Sequence, residues 1–295
     1  MEQKIQKLEK MFSSGKINRR EFIAKLSALG IAATVAPSFL SKATAASGPK
    51  RGGRFRVGIT GGAVGESIDP ALVVGNMTMA MSSMLRNNLV EIDTEFNAVP
   101  ELAESWESSP DAAKWIFKLR KGVEFHNGKT MDSNDVVVSI NHHRKKDTKS
   151  GAKGFVTQIK DVKADGKNTV IIELKGGNAD FPYVMAEYML QIFPADTTDF
   201  MKGIGTGGYI LVEYEPGVRS LSKRNPNYWK KGRAHFDEVQ FIGIADNNAR
   251  INALRTGQVD FINELDIKTF DLLAKVAGIQ CIETKGLMHY TYGMR

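Results

Sequence analysis

The stretch between residues 205 and 242 constrains the fold more than any other part of the chain. It runs Gly205-Thr206-Gly207-Gly208-Tyr209-Ile210, then Asn225-Pro226-Asn227-Tyr228-Trp229, then Phe236-Asp237-Glu238-Val239-Gln240-Phe241-Ile242. Residues 209–214 are rich in β-branched and aromatic side chains, which suit a pleated surface. Glu215-Pro216-Gly217 supplies the fixed φ and the positive φ of a type II turn, and 218–223 returns as a second strand. Asn225-Pro226-Asn227 predicts another turn, Tyr228-Trp229 a large amphipathic anchor, and Val239, Phe241 and Ile244 a further strand. A helix follows, with Asp246 as its N-cap, Ile251 and Leu254 on one face beside Ala253, and Gly257 as its stop; 259–262 reads as a short strand. Gly203-Ile204-Gly205-Thr206-Gly207-Gly208 also fits the dinucleotide-binding pattern G-x-G-x-x-G. That fingerprint must follow a strand and open a helix, so that a pyrophosphate rests on the helix N-terminus. Here a strand follows, and the glycines read as a turn.

The first fifty residues stand apart in charge. They carry +6 of the net charge of +7, which leaves the remainder nearly neutral at +1 and gives no reason to expect a nucleic-acid partner. The polar start ends in Asn18-Arg19-Arg20-Glu21-Phe22-Ile23, an apolar run covers 26–40 and contains Pro37, and Ala43-Thr44-Ala45 offers an A-x-A exit. This pattern reads as a twin-arginine-type signal peptide over residues 1–46, with Arg19 and Arg20 as the pair and Ala43 and Ala45 as the cleavage positions. The run is too short to cross a hydrocarbon core of ~30 Å comfortably, and a retained anchor is the alternative. Cys281 is the lone cysteine; it rules out an intramolecular disulfide and reads as a small buried apolar residue on a strand.

From residue 47 the chain reads as one α/β body. Phe55, Val57 and Ile59 alternate on a first strand, and Gly61-Gly62-Ala63 and Ser67-Ile68-Asp69-Pro70 form the loop after it. Residues 77–89 predict a helix with Met81, Met84, Leu85 and Leu89 toward a core; Met77 and Met79 join them as packing rather than as an adaptable pocket. Trp115, Phe117 and Leu119 share one strand face and Lys118 and Arg120 the other, with Val123 and Phe125 continuing beyond Gly122. Asp132 caps a helix reaching about His143, 159–164 and 169–174 pair as strands around Asp165-Gly166, and 181–190 forms a helix. Ile192-Phe193-Pro194 is an edge piece, 267–276 a helix stopped by Gly278, and 279–284 and 290–294 strands. His142 and His143 are adjacent on a helix and diverge by about 100°, so they do not share an ion easily, and His126, His235 and His289 lack ligand spacing. No metal, cofactor or catalytic residue is assigned.

Two blocks carry a resemblance. Val99-Pro100-Glu101-Leu102-Ala103-Glu104-Ser105-Trp106 with Leu119-Arg120-Lys121-Gly122-Val123-Glu124-Phe125-His126-Asn127-Gly128 is one; the glycine stretch, Asn225-Pro226-Asn227-Tyr228-Trp229 and Ala253-Leu254-Arg255-Thr256-Gly257-Gln258-Val259-Asp260 is the other. Together they resemble the extracytoplasmic solute-binding proteins of the peptide and nickel importer family, with Gly208 where that family usually has proline. The resemblance implies a type II periplasmic-binding-protein-like fold, of which 47–295 would be a first lobe with mixed β-sheets and flanking helices. Family members are longer, and Arg295 falls about where the crossover to the second lobe begins, so that lobe is missing from this sequence.

The resemblance also places the first strand at the mouth of a ligand cleft, which makes Gly61, Gly62 and Ala63 candidate ligand contacts. Arg86 and Asn87 join them, because Arg86-Asn87-Asn88-Leu89 stands where many members have Tyr-Glu-x-Leu. The implied function is a periplasmic binding component that takes peptides into an interlobe cleft and delivers them to a membrane permease and ATPase, after export by the twin-arginine translocase. A member for nickel, heme, opines or sugars is one alternative, and a truncated fragment that binds nothing is another. A hydrolase is the third, without G-x-S-x-G, H-E-x-x-H or a P-loop to support it.

Overall fold

The computed structural model describes residues 49–61 and 63–284, together with Lys7, Leu8, Met11, Glu21 and Lys25. The chain divides into Met1–Gly52 and Gly53–Arg295, and among the described residues every strand lies in the second unit. Arg19, Arg20, Ala43, Ala45 and Gly62 lie outside the described residues, as does the strand expected at 290–294. Among the described residues no helix is long and apolar enough to cross a membrane.

The elements of this second unit in chain order are β1 (Arg54–Ile59), α1 (Asn76–Leu85), β2 (Val90–Ile92), β3 (Ala98–Pro100), β4 (Ala103–Ser108), β5 (Lys114–Leu119), α2 (Ser133–His142), α3 (Lys153–Val156), β6 (Ile159–Ala164), β7 (Thr169–Leu174), α4 (Phe181–Val184), β8 (Tyr209–Glu215), β9 (Arg219–Arg224), β10 (Glu238–Gly243), α5 (Asn247–Arg255), β11 (Phe261–Ile262) and α6 (Ile267–Leu273). They build a five-stranded mixed sheet in the order β11-β1-β10-β9-β8, a four-stranded antiparallel sheet in the order β4-β5-β7-β6, and a β2-β3 ribbon. In the first sheet β1 lies between β10 and β11 and runs parallel to both, so that β10, α5 and β11 form a crossover around it. The β8-β9 hairpin turns at Gly217, whose φ of 80° is the positive value that the Pro216-Gly217 pair implies.

Alternation decides which faces are buried. Trp115, Phe117 and Leu119 of β5 and Val170, Ile172 and Leu174 of β7 point into one core, which α2 covers with Val136 and Ile140. Asp132 and Asp135 form a reciprocal capping box at the start of α2. A second core beneath the five-stranded sheet gathers Val57, Ile59, Ile68, Val239 and Phe241 with Met77, Met81 and Leu85 of α1, so these methionines pack, as their helical spacing implies.

Four expectations need correction. Helix α1 stops at Leu85 rather than 89, because the Leu85 carbonyl accepts the Gly207 N–H at 2.9 Å and the chain leaves as extended backbone at Arg86. Helix α4 covers Phe181–Val184 only; beyond it the chain continues in single turns, with Ala186 N–H on Tyr183 O at 3.2 Å and Leu190 N–H on Glu187 O at 2.8 Å, and the Asn88 amide also donates to Glu187 O at 2.7 Å and to Met185 O at 3.4 Å. Residues 192–194 join no sheet; the Ile192 and Phe193 N–H groups bond Asn87 O and Ser139 Oγ at 2.9 and 3.0 Å. Residues 279–284 form no strand either, and Cys281 is half-buried there with its thiol 3.8 Å from Phe270 O.

The glycine stretch clasps the end of α1. A Cβ on Gly205 would overlap Leu85 O and one on Gly207 would overlap Met84 O, whereas one on Gly208 would meet only side chains at 3.2 Å. Backbone atoms cannot yield as side chains can. Gly205→Ala or Gly207→Ala should therefore cost about 2–4 kcal/mol, and Gly208→Ala no more than about 1 kcal/mol, in urea unfolding of the full chain. Equal losses at all three positions would remove the clasp as the explanation.

Candidate functional site

In open sheets ligands bind beyond the carboxyl ends of parallel strands, and here that edge is the ends of β1, β10 and β11. Four side chains meet there. The Thr60 N–H donates to Asn263 Oδ1 at 2.9 Å, and its hydroxyl donates to Glu264 Oε2 at 2.8 Å. Asn76, the first residue of α1, spans the gap with its amide 2.7 Å from both Thr60 Oγ1 and Glu264 Oε1. Glu264 holds a φ of 50°, unusual for a residue with a side chain. The buried Arg250 keeps it there by donating to the Glu264 carbonyl at 3.3 Å and to the Ile244 and Ala245 carbonyls at 2.8 and 2.9 Å. This rim offers hydrogen-bond acceptors and donors, and its four side chains include no serine, cysteine or histidine to serve as a nucleophile and base.

Gly61 and Ala63 sit exposed on the rim, directly after Thr60. Gly61 has φ 92°, and its α-carbon faces the first N–H groups of α1, where a Cβ would lie 3.3 Å from Asn76 N. The connection from β1 to α1 leaves Val64 86%, Leu72 41% and Val74 59% exposed, an apolar border to the polar rim. Ile68 and Asp69 anchor this connection. Ile68 is in the core, and Asp69 Oδ1 lies 2.8 Å from His142 Nε2 and accepts from the Ala71 N–H at 2.9 Å. Burial raises the Asp69 carboxyl, but the His142 and Ala71 hydrogen bonds outweigh it and hold the group below the ordinary carboxylate range.

Arg86 and Asn87 lie at the other end of α1, 1% and 5% exposed, and the structure does not bring them together with Gly61 and Ala63. The Arg86 guanidinium donates to Ile68 O at 2.8 Å, Ile204 O at 3.2 Å and Phe200 O at 3.3 Å. Burial pulls it down to about 10 despite the charge of Asp69. Asn87 Oδ1 accepts from the Thr206 hydroxyl at 2.9 Å and the Trp229 indole at 3.3 Å, and its amide donates to Glu101 Oε1 at 2.7 Å. Lys230 joins Glu101 at 2.9 Å and Glu91 at 2.7 Å, while Lys230 and Arg120 each sit 5.2 Å from the Trp229 ring centre. Burial raises the Glu101 carboxyl even against the pull of Lys230.

The histidines have structural places. Gly205 N donates to His126 Nδ1 at 3.3 Å, so Nε2 carries the proton that reaches Gly207 O at 3.1 Å. His142 and His143 are not a metal pair: Nε2 of the first faces Asp69, and Nδ1 of the second lies 2.7 Å from Ser150 Oγ. Among the described residues no group of three His, Cys, Asp or Glu could hold a metal ion. Sequence reasoning singled out Gly61 and Ala63 on the rim but missed Thr60, Asn76, Asn263 and Glu264. Their signal was weak, two of them lying more than two hundred positions from the first strand in the chain.

A family model described as bacterial extracellular solute-binding proteins, family 5 Middle, matches residues 97–295. Heme-binding protein A of Haemophilus influenzae is 30% identical over 248 residues, 74% of this chain and 45% of that protein. Among solved structures, the binding protein AgaA of A. tumefaciens R10 in complex with agropinic acid is 27% identical with a TM-score of 0.72, covering 76% of this chain and 46% of that one. The oligopeptide-binding protein AppA of Bacillus subtilis in complex with a nonapeptide is 27% identical with a TM-score of 0.68, covering 77% of this chain and 47% of that one. The chain thus spans about half the length of these relatives or less.

Acid should loosen this structure in a definite window. Burial, with the charge of His142, brings His143 down to about 4, and burial also lowers His126. Both are neutral when folded, so the unfolded chain binds more protons below its own histidine value of about 6.5. Unfolding free energy should be level above about pH 6.5 and fall by about 2–3 kcal/mol toward pH 4 through His143, with His126 adding a loss of the same sign. Asp69 adds a loss at lower pH, while Glu101 acts in the opposite sense. Urea titrations of the full chain and of His143→Gln isolate the His143 share; an unchanged slope in the variant would refute the assignment.

Proposed function

The chain belongs to the bacterial extracellular solute-binding proteins of family 5, and we propose that it is the ligand-capturing first lobe of an ABC importer's binding component. The observation that carries this reading is the rim at the ends of β1, β10 and β11. There Gly61 and Ala63 sit exposed beside Thr60, Asn76, Asn263 and Glu264, with apolar Val64 and Val74 next to them. Such a surface pairs with a ligand's polar backbone without demanding one side chain, as extended peptides require. Peptides are therefore the proposed solutes, with the nonapeptide complex of the similar AppA in support.

The action is non-covalent. A ligand held between this rim and a second lobe favours the closed form, and the closed form docks on the permease and its ATPase. The protein works in the periplasm, and residues 1–46 take it there through the twin-arginine translocase. Replacement of both Arg19 and Arg20 by lysine should leave uncleaved precursor inside the cell in a fractionation assay; unchanged export would overturn that route.

Thermal unfolding of the purified protein with defined peptide pools tests the ligand class. A rise in Tm with peptides is expected, while a rise only with heme, nickel, opines or sugars would move the assignment elsewhere in the family. Asn76→Ala and Glu264→Gln should each weaken the peptide that binds by about tenfold, the worth of one hydrogen bond to a charged or polar ligand group. Their Tm without ligand should stay close to that of the unaltered protein.

A further inference from the structure

The face formed by the end of α2, by α3 and by the start of β6 holds a depression of about 200 Å³ that shares no residue with the rim. Its lining includes Arg144, Lys145, Lys153 and Lys175, with Thr157 and the buried His143, and no acidic residue. None of the four cations forms an ion pair among the described residues, whereas on the adjacent β6 Lys160 and Lys163 pair with Asp161 and Glu173 at 2.8 to 3.9 Å. Asp161, already held by Lys163, feels Arg144 only at longer range. The body of the protein is close to neutral, so four uncompensated cations around one depression do not follow from a general basic excess.

Two of these cations have another explanation. Arg144 and Lys145 follow the C-terminus of α2, where positive charge complements the helix dipole. Lys153 and Lys175 do not, because they arrive from α3 and from the end of β7. Arg144 is fixed in place by Ile159 O and Lys160 O at 3.0 and 2.9 Å and by Asn141 Oδ1 at 2.6 Å, so its charge is positioned before any ligand arrives. Among the described residues Lys145 Nζ reaches only His142 Nδ1, at 3.5 Å. The second, independent observation is His143. It is fully buried, and its Nε2 has no hydrogen-bond partner. Ser150 Oγ accepts from the Ala152 N–H at 3.1 Å and lies 2.7 Å from His143 Nδ1; in the tautomer in which Nδ1 takes the hydroxyl proton, Nε2 is an N–H donor without a protein acceptor. A buried donor without an acceptor is costly and is met in native proteins chiefly where a ligand or water completes it.

We propose that this depression is a binding site for a phosphate-class oxyanion, supplied either as free phosphate or as the phosphodiester of a lipid headgroup. Four donors of positive charge and one N–H suit a compact, multiply charged group with several acceptor oxygens better than a single carboxylate.

Calorimetric titration of the full chain with inorganic phosphate at low ionic strength and neutral pH tests the site. Saturable binding is expected, with a shift of the His143 ring resonances. Lys153→Gln and Lys175→Gln, both at surface positions, should each weaken it about tenfold and leave Tm without phosphate unchanged. Chloride at matched ionic strength should compete only through general screening. Vesicles of phosphatidylglycerol and of phosphatidylcholine separate the sources: preference for the anionic vesicle, lost in the double lysine variant, assigns the headgroup, while phosphate binding without vesicle preference assigns the free ion. Absence of saturable phosphate binding together with equal vesicle binding would overturn the proposal, as would phosphate binding that the double variant leaves intact.

Discussion

The single hydrogen bond from the Gly207 N–H to the Leu85 carbonyl sets the course of the chain around it. It takes the acceptor that the next turn of α1 would need, so the helix ends and Arg86-Asn87-Asn88 leave as extended backbone. The approach is possible only because Gly205 and Gly207 have no side chain where Leu85 O and Met84 O already stand. Once the backbone is released, Arg86 fills the space beside three carbonyls and Asn87 turns toward Thr206, Trp229 and Glu101. The two hydrophobic cores are thereby joined through a polar network in which nearly every buried group has a partner. Such networks favour one arrangement over others because a half-made version leaves charges and amides stranded.

The consequences reach the rim. Helix α1 begins at Asn76, beside Thr60 and Glu264, and ends in the clasp. Fixing its C-terminus therefore fixes the position of its first residue, since a helix of ten residues is stiff on this scale. His126 contributes from a third direction, accepting from Gly205 N and donating to Gly207 O. This requires the neutral imidazole, for a proton on Nδ1 would face the Gly205 N–H.

Much of the architecture was legible because strand periodicity and turn chemistry agree locally. The Pro216-Gly217 turn, the β5 alternation and the Asp132 and Asp246 caps all follow from rules that act over a few residues. What was illegible depended on distant partners. The sequence pattern over 77–89 is helical throughout, and only a backbone more than a hundred positions away cuts it short. Likewise 279–284 has the composition of a strand but pairs with no strand among the described residues. On the rim, Gly61 and Ala63 were visible as a turn after a strand, whereas Asn263 and Glu264 are ordinary residues in sequence and acquire a role only because β11 pairs with β1.

The residues that make the chain recognisable are not those of the rim proposed to meet a ligand. Gly205, Gly207, His126, Asn225, Trp229 and Glu101 all belong to the two long sequence blocks, and the clasp consumes every one of them: Asn225 Nδ2 donates to Gly207 O at 3.0 Å, and Glu101 is shared between Asn87 and Lys230. Thr60, Asn76, Asn263 and Glu264 lie outside those blocks. A fold held by one set of side chains leaves the other set free to change with the solute. The proposed ligand rim lies at the end of β1, where Asn76 and Glu264 join Thr60 apart from the clasp.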